Sequence, residues 1–336
     1  MLNDKTILIT GGTGSFGRRY TQYVFEKFKV KKLIIFSRDE HKQHEMSFTY
    51  PRNKYPIRYF IGDIRDRERL YRAFSGVDYV IHAAALKHVL AAEYNPFEVV
   101  KTNIVGAQNI VEAAIDNGVR KVIALSTDKA VSPVNLYGAT KLAMEKIFVS
   151  ASAYVGAKDT RFAVVRYGNV VASRGSVIPL FLKLIGEGAT ELPVTDMRMT
   201  RFWITIEESV ELVNTALLEA VGGEVFVPRI PSMKITDLVE AIAPHCDINI
   251  VGCRPGEKIH ETLIASDEAG TTVEYEHNGK VMYVILSELH LDAKDIGRYK
   301  NCKRLPDNYL YRSDKNDWWL TIPQMTECLK RLQVAL

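Results

Sequence analysis

The chain has 336 residues, 47% of them hydrophobic and 25% charged, so it can bury a sizeable core with no metal or disulfide staple. Its net charge of +4 is small for the length, and Lys and Arg are spread among acids, which speaks against a nucleic-acid partner. No apolar run reaches the roughly 20 residues of a membrane span, and no signal-like segment precedes the first strand. The four cysteines, Cys246, Cys253, Cys302 and Cys328, form no CxxC pair, so a reduced cytoplasmic protein with no membrane partner is expected.

Strands are expected over residues 6–10, 32–36, 58–61, 79–82, 121–126 and 162–167. Each is short, β-branched or aromatic and lacks polar alternation, the pattern of a parallel strand buried on both faces. Helical patterns lie between them, at 16–28, 67–74, 107–116 and 137–154. The alternation predicts an α/β fold: a Rossmann-type doubly wound parallel sheet with a smaller C-terminal substrate lobe. Beyond about residue 167 prolines and glycines become more frequent. We expect a dinucleotide-binding domain over 1–168, with 200–225 returning to it through a helix at 207–219. Residues 169–199 and 226–336 are expected to form the lobe, and the tail from about 293 carries no assigned structure.

The first strand runs into Gly11-Gly12-Thr13-Gly14-Ser15-Phe16-Gly17. Gly11, Gly14 and Gly17 allow a tight turn, and backbone N–H groups at the following helix start can approach a pyrophosphate. The second strand ends before Ser37-Arg38-Asp39-Glu40, with Lys42 close by. An acid there would hold the ribose of NAD, and an Arg after a small residue holds the extra phosphate of NADP. Arg38 favours NADP. Asp63, after the third strand, is placed either for the adenine edge or as a helix N-cap.

Ser126-Thr127-Asp128-Lys129 ends the fifth strand, and Tyr137-Gly138-Ala139-Thr140-Lys141 opens a helix. Tyr137 and Lys141, four apart, share a helix face and can reach one ligand. A nearby ammonium favours the phenolate, which can take a hydroxyl proton while hydride leaves for a nicotinamide. His82, His88, His245 and His260 have no ligand-spaced partners, so no metal site is expected.

These motifs resemble the extended short-chain dehydrogenases/reductases. Further segments resemble one branch of that family, the inverting UDP-N-acetylglucosamine 4,6-dehydratases. They are Ala83-Ala84-Ala85-Leu86-Lys87-His88-Val89, Arg166-Tyr167-Gly168-Asn169-Val170, Met199-Thr200-Arg201-Phe202 and Arg254-Pro255-Gly256-Glu257-Lys258. The resemblance covers roughly residues 5–261. It implies a homo-oligomer, a hexamer among the nearest members, and a place at the start of pseudaminic acid synthesis for flagellin glycosylation.

The resemblance also implies site roles. Thr13, Gly14, Ser15, Phe16, Ser37, Arg38, Asp39, Glu40, Lys42, Asp63, Ile64, Ala83, Lys87, Tyr137 and Lys141 would hold NADP. Lys87, Asn169, Ser173, Arg174, Gly175, Ser176, Val177, Arg201, Arg254 and Glu257 would hold UDP-N-acetylglucosamine. Tyr137 would take the carbon-4 hydroxyl proton, Lys129 the carbon-5 proton, and Asp128 would protonate the departing carbon-6 hydroxyl. A Lys can be that base only if its pKa falls, through burial or neighbouring cations. Two rival readings remain: a nucleotide-sugar 4-epimerase, which needs Tyr137 and Lys141 but no acid–base pair, and a non-catalytic dinucleotide sensor. Relatives that also epimerise carbon 3 often show Met where this chain has Tyr137.

Overall fold

The computed structural model describes residues 2–173, 175–287 and 297–332. Its first half alternates: β1 (Thr6–Thr10), α1 (Ser15–Lys27), β2 (Lys32–Ser37), α2 (Glu40–Thr49), β3 (Ile57–Ile61), α3 (Arg67–Phe74), β4 (Tyr79–His82). There follow α4 (Val89–Tyr94), α5 (Pro96–Val100), a π turn (Lys101–Val105), α6 (Gly106–Asp116), β5 (Lys121–Leu125), α7 (Leu136–Ala151) and β6 (Arg161–Val165). Next come β7 (Asn169–Val170), α8 (Val177–Gly186), β8 (Glu191–Val194), β9 (Thr200–Ile204), α9 (Ile206–Glu219), β10 (Val225–Pro228), β11 (Ser232–Lys234) and α10 (Ile235–Ile242). The chain continues through β12 (Asp247–Ile250), β13 (Thr262–Ile264), β14 (Thr272–His277), β15 (Lys280–Ile285), β16 (Lys303–Arg304), β17 (Tyr311–Arg312) and α11 (Ile322–Arg331).

The main sheet runs β3-β2-β1-β4-β5-β6-β10 in parallel, and β15, β14 and β16 extend it antiparallel. This is the doubly wound α/β fold. β1 is wholly buried, with Leu8 beside Ile34 of β2 and Val80 of β4, which is why the sequence shows an unbroken apolar run there. Strand order reverses between β1 and β4, and the crevice at their carboxyl ends is where such sheets bind ligands. The expected strands and the helices at α1, α3, α6 and α7 are present. The sequence reading names no helix at 40–49; α2 has scarcely any apolar stripe to announce it.

The expected helix at 207–219 is α9, opened by a Thr205/Glu208 capping box. It returns to the main domain, where Tyr20 donates to Asn214 (3.1 Å) and Arg19 to Glu207 (2.9 Å). β9 is shared between two cores: Phe202 and Ile204 face the main core and Trp203 a second one, as alternation along a strand requires.

The expected lobe over 226–336 is divided differently. The second core takes Phe181, Leu192, Met233, Leu238, Met325 and Leu329, from α8, β8, β11, α10 and α11. Leu263, Val273, Val284, Tyr299 and Tyr311 pack instead in the main core. The reason is the β14–β15 hairpin, which adds to the sheet edge beyond β10. Its turn is Asn278-Gly279, with φ of 52° and 75°, both left-handed as a type I′ turn demands. That dipeptide was the available signal. Among the described residues no helix is long and apolar enough to cross a membrane.

Candidate active site

A cleft of about 1210 Å³ opens between the two cores, at the carboxyl ends of β1, β4, β5 and β6. Every residue expected to hold the dinucleotide lines it except Glu40, which is exposed on a separate hollow with His44 and Tyr59. Glu40 sits in the first turn of α2, one residue beyond Asp39, with its side chain exposed. All the substrate-side candidates line the cleft too, apart from Arg174, which lies outside the described residues.

The glycine turn is shaped for close approach. A methyl on Gly11 would lie 2.9 Å from the Ala84 backbone, and one on Gly17 would lie 2.4 Å from the Gly12 carbonyl oxygen. α1 starts at Gly14 with no side-chain cap, so its first N–H groups are open to a phosphate. At the end of β2, Asp39 caps α2 through the Lys42 N–H (2.9 Å) and pairs with the Lys42 ammonium (2.6 Å). Arg38 Nη1 lies 3.6 Å from Asp63 and is half exposed. Asp63 binds Arg65 and does not cap a helix; Asp66 caps α3.

Asn135 caps α7, accepting from the Gly138 N–H (2.7 Å) and donating to the Gly256 carbonyl (2.7 Å). It ties the Arg254-Pro255-Gly256 loop to the helix bearing Tyr137 and Lys141. Both of those side chains are buried. Burial pushes the Tyr137 phenol up to about 12, against the pull of Lys129 and a hydrogen bond with Thr127. Burial draws the Lys141 ammonium down to about 8, with Glu145 partly opposing, and its Nζ donates to the Leu125 carbonyl (2.6 Å). The Lys129 ammonium pulls the phenol's pKa down, while the Lys141 ammonium is held by the Leu125 carbonyl. His82 packs face to face on Phe148, and burial draws its pKa to about 3.

Asp128 and Lys129 occupy a short 3-10 turn after β5. Asp128 is fully buried and does not line the cleft, while Lys129 does. Lys129 Nζ stands 3.0 Å from Asp128 Oδ1, 3.2 Å from Glu261 Oε1 and 3.5 Å from Asn169 Oδ1. Burial lowers the Lys129 pKa, but the two carboxylates outweigh it and hold the ammonium above the usual lysine range. The fall expected from the sequence is thus reversed, because two buried acids face the amine. Burial raises the Asp128 carboxyl above its usual range.

Glu261 was missed. It follows the Arg-Pro-Gly-Glu-Lys run by three residues, but nothing in the sequence brings it to Lys129. Arg201, expected to hold substrate, gives Nη1 and Nη2 to the carbonyls of Thr200 (2.8 Å), Ile259 (3.0 Å) and Lys258 (2.9 Å). Glu257 accepts from Thr195 (3.2 Å). Behind the site, buried Arg166 binds Glu145 on α7 (2.7 Å) and Glu268 (2.8 Å), bracing the helix against β6.

Residues 7–283 match the family described as polysaccharide biosynthesis protein. A curated relative from Campylobacter jejuni, UDP-N-acetylglucosamine 4,6-dehydratase (inverting), is 53% identical over 99% of both chains. A UDP-glucose 4-epimerase from Rickettsia massiliae is 44% identical over 80% of each. The X-ray structure of Pen from Bacillus thuringiensis superposes with a TM-score of 0.90 at 38% identity, covering 100% of both chains.

Proposed function

The chain belongs to the polysaccharide biosynthesis protein family, and on that premise we propose that it is an inverting UDP-N-acetylglucosamine 4,6-dehydratase. The observation that carries this reading is the Asp128–Lys129 pair at 3.0 Å, with Asp128 buried and Lys129 lining the cleft that Tyr137 also lines. Elimination of water needs an acid and a base besides the group that serves the carbon-4 hydroxyl. A 4-epimerase needs neither, and the epimerase relative covers less of the chain at lower identity.

The open N–H groups of α1 and the glycine turn fit a nicotinamide dinucleotide, which would supply hydride uptake and return when bound. Tyr137 takes the carbon-4 hydroxyl proton; Lys129, as ammonium, eases that loss by stabilising the phenolate. The new ketone acidifies carbon 5. A proton passed from Lys129 to Asp128 leaves an amine and a carboxylic acid, the base and acid that elimination requires. We take the cofactor as NADP, since Lys42 already neutralises Asp39 and Arg38 stands half exposed at the cleft. The reading extends to a cytoplasmic hydro-lyase, working as a homo-oligomer and supplying the pseudaminic acid route. Exposed Leu90, Tyr94 and Phe97 on neighbouring helices α4 and α5 support an intersubunit contact.

The test is purified protein with UDP-N-acetylglucosamine in deuterated water, followed by NMR. The expected product is a 6-deoxy-4-keto sugar, inverted and deuterated at carbon 5. A carbon-4 epimer formed without loss of water would replace this reading by the epimerase.

A further inference from the structure

The acid–base pair has a buried neighbour to which the mechanism above gives no role. Glu261 is 2% exposed. Its Oε1 lies 3.2 Å from Lys129 Nζ and 3.9 Å from Arg201 Nε, and its Oε2 lies 3.9 Å from Lys258 Nζ. Its backbone is held on both sides by Ser313, whose Oγ meets the Glu261 N–H (3.0 Å) and whose N–H donates to the Glu261 carbonyl (2.8 Å). Ser313 is itself bonded to Thr200 on β9 (2.7 Å). The carboxylate is thus mounted rigidly, from β9 and the segment around 313, onto a turn more than a hundred residues away in sequence. Such a mount fixes the Lys129 side chain between two acids.

Resting on the dehydratase reading, we infer that Glu261 is a positioning residue of the acid–base pair: it holds the Lys129 amine beside Asp128 and confines the exchangeable proton of the cluster to those two groups. The charges facing each acid differ. Glu261 meets Lys129 on the turn after β5, Arg201 on β9 and Lys258 in its own loop, with the Tyr137 phenol of α7 also in its field. Burial raises its pKa, but the three cations outweigh burial and keep it ionised. Asp128 has Lys129 in contact and Lys258 in its field, and the Glu261 charge adds to burial in raising it. Lys129 also faces Lys87 across the cleft.

The proton balance follows. One proton moves from Lys129 Nζ to Asp128 Oδ1 across 3.0 Å. The neutral amine then takes the carbon-5 proton, and the carbon–hydrogen pair becomes the carbon 5–carbon 6 double bond. The carbon 6–oxygen bond breaks with its electrons on oxygen, which takes a proton from Lys129 Nζ, the group of the pair that lines the cleft, and leaves as water, while the Asp128 proton returns to Lys129. The cluster ends as ammonium and carboxylate, as it began, with Glu261 ionised throughout.

Glu261→Gln keeps the shape and an acceptor for Lys129 but removes the charge. In full-length protein labelled with carboxyl-13C aspartate, without substrate, the Asp128 resonance is assigned by its loss in Asp128→Asn. Its titration should move to lower pH by about one unit in Glu261→Gln. Glu261→Asp, which keeps the charge, should leave it near wild type. The pH profile of water loss should shift the same way, since both Lys129 and Asp128 then lose protons at lower pH. An unmoved Asp128 titration overturns the inference, whatever happens to the rate. If the wild type releases no water from UDP-N-acetylglucosamine, the dehydratase reading falls, and the titration still decides the place of Glu261.

Discussion

A methyl group on the α carbon of Gly138 would stand 2.1 Å from the Lys129 carbonyl oxygen. The first turn of α7 therefore rests directly on the backbone of the Asp128–Lys129 turn. This contact brings Tyr137 into the field of the Lys129 ammonium. No side chain larger than hydrogen fits there. Gly138→Ala should push the helix off the turn and cost turnover on the order of a hundredfold, with a lower melting temperature. Steady-state assay and a thermal melt check both; wild-type kcat would show that the contact does not set the site.

Tyr137→Phe should abolish turnover and leave dinucleotide affinity largely intact, because the ring stays while its proton is lost. Lys129→Ala should stop formation of the 6-deoxy-4-keto product by roughly a hundredfold or more. The first hydride transfer can still proceed in Lys129→Ala, so reduced nicotinamide absorbance should build slowly on adding UDP-N-acetylglucosamine, with no deuterium entering carbon 5. Full deuterium uptake in that variant would remove Lys129 from the base role.

Arg38→Ala should weaken NADP binding and leave NAD binding nearly unchanged. The half-exposed guanidinium is the group free to turn toward a ribose phosphate, while Asp39 is engaged as the α2 cap. Calorimetric titration with each dinucleotide checks this. Equal losses for both would mean that Arg38 does not read the phosphate.

Lys141 sets a pH signature on the stability of the dinucleotide-free protein. Its ammonium titrates at about 8 in the fold and near 10.4 in an unfolded chain. Between those values the unfolded state binds more protons, so stability rises with pH across that window. Below pH 8 the buried charge opposes folding in full. Lys141→Met should therefore raise the melting temperature at pH 7, by roughly 2 °C, and the gain should fade toward pH 10.5. A gain independent of pH would assign the effect to packing.

Arg166→Met should destabilise the fold by about 3–5 kcal/mol, because it leaves buried Glu145 and partly buried Glu268 without their cation. Urea denaturation measures this. A change below about 1 kcal/mol would mean that the two acids take up protons at little cost.

The doubly wound sheet was legible because its inner strands β1, β4, β5 and β6 are buried on both faces, although the edge strand β3 exposes Arg58 and Ile61. Those inner strands appear as apolar runs, and helices α1, α3 and α6 carry their stripe at helical spacing. The glycine turn and the Tyr137–Lys141 pair were legible for the same local reason: the spacing of each is set by one turn or one helix face. The Asp128–Lys129 pair stood in the sequence as neighbours, but its proton state did not. That state depends on Glu261, Arg201 and Lys258, which β9 and the loop before β13 bring to the turn. The division of the C-terminal half was likewise hidden. Whether a strand such as β15 joins a lobe or the sheet depends on which edge is open, and β10 offers that edge only once the sheet is assembled. Local periodicity thus determined the elements and the residue types of the site. Tertiary packing alone decided which charges share a low-dielectric pocket, since Coulomb energies depend on distance and burial and not on separation along the chain.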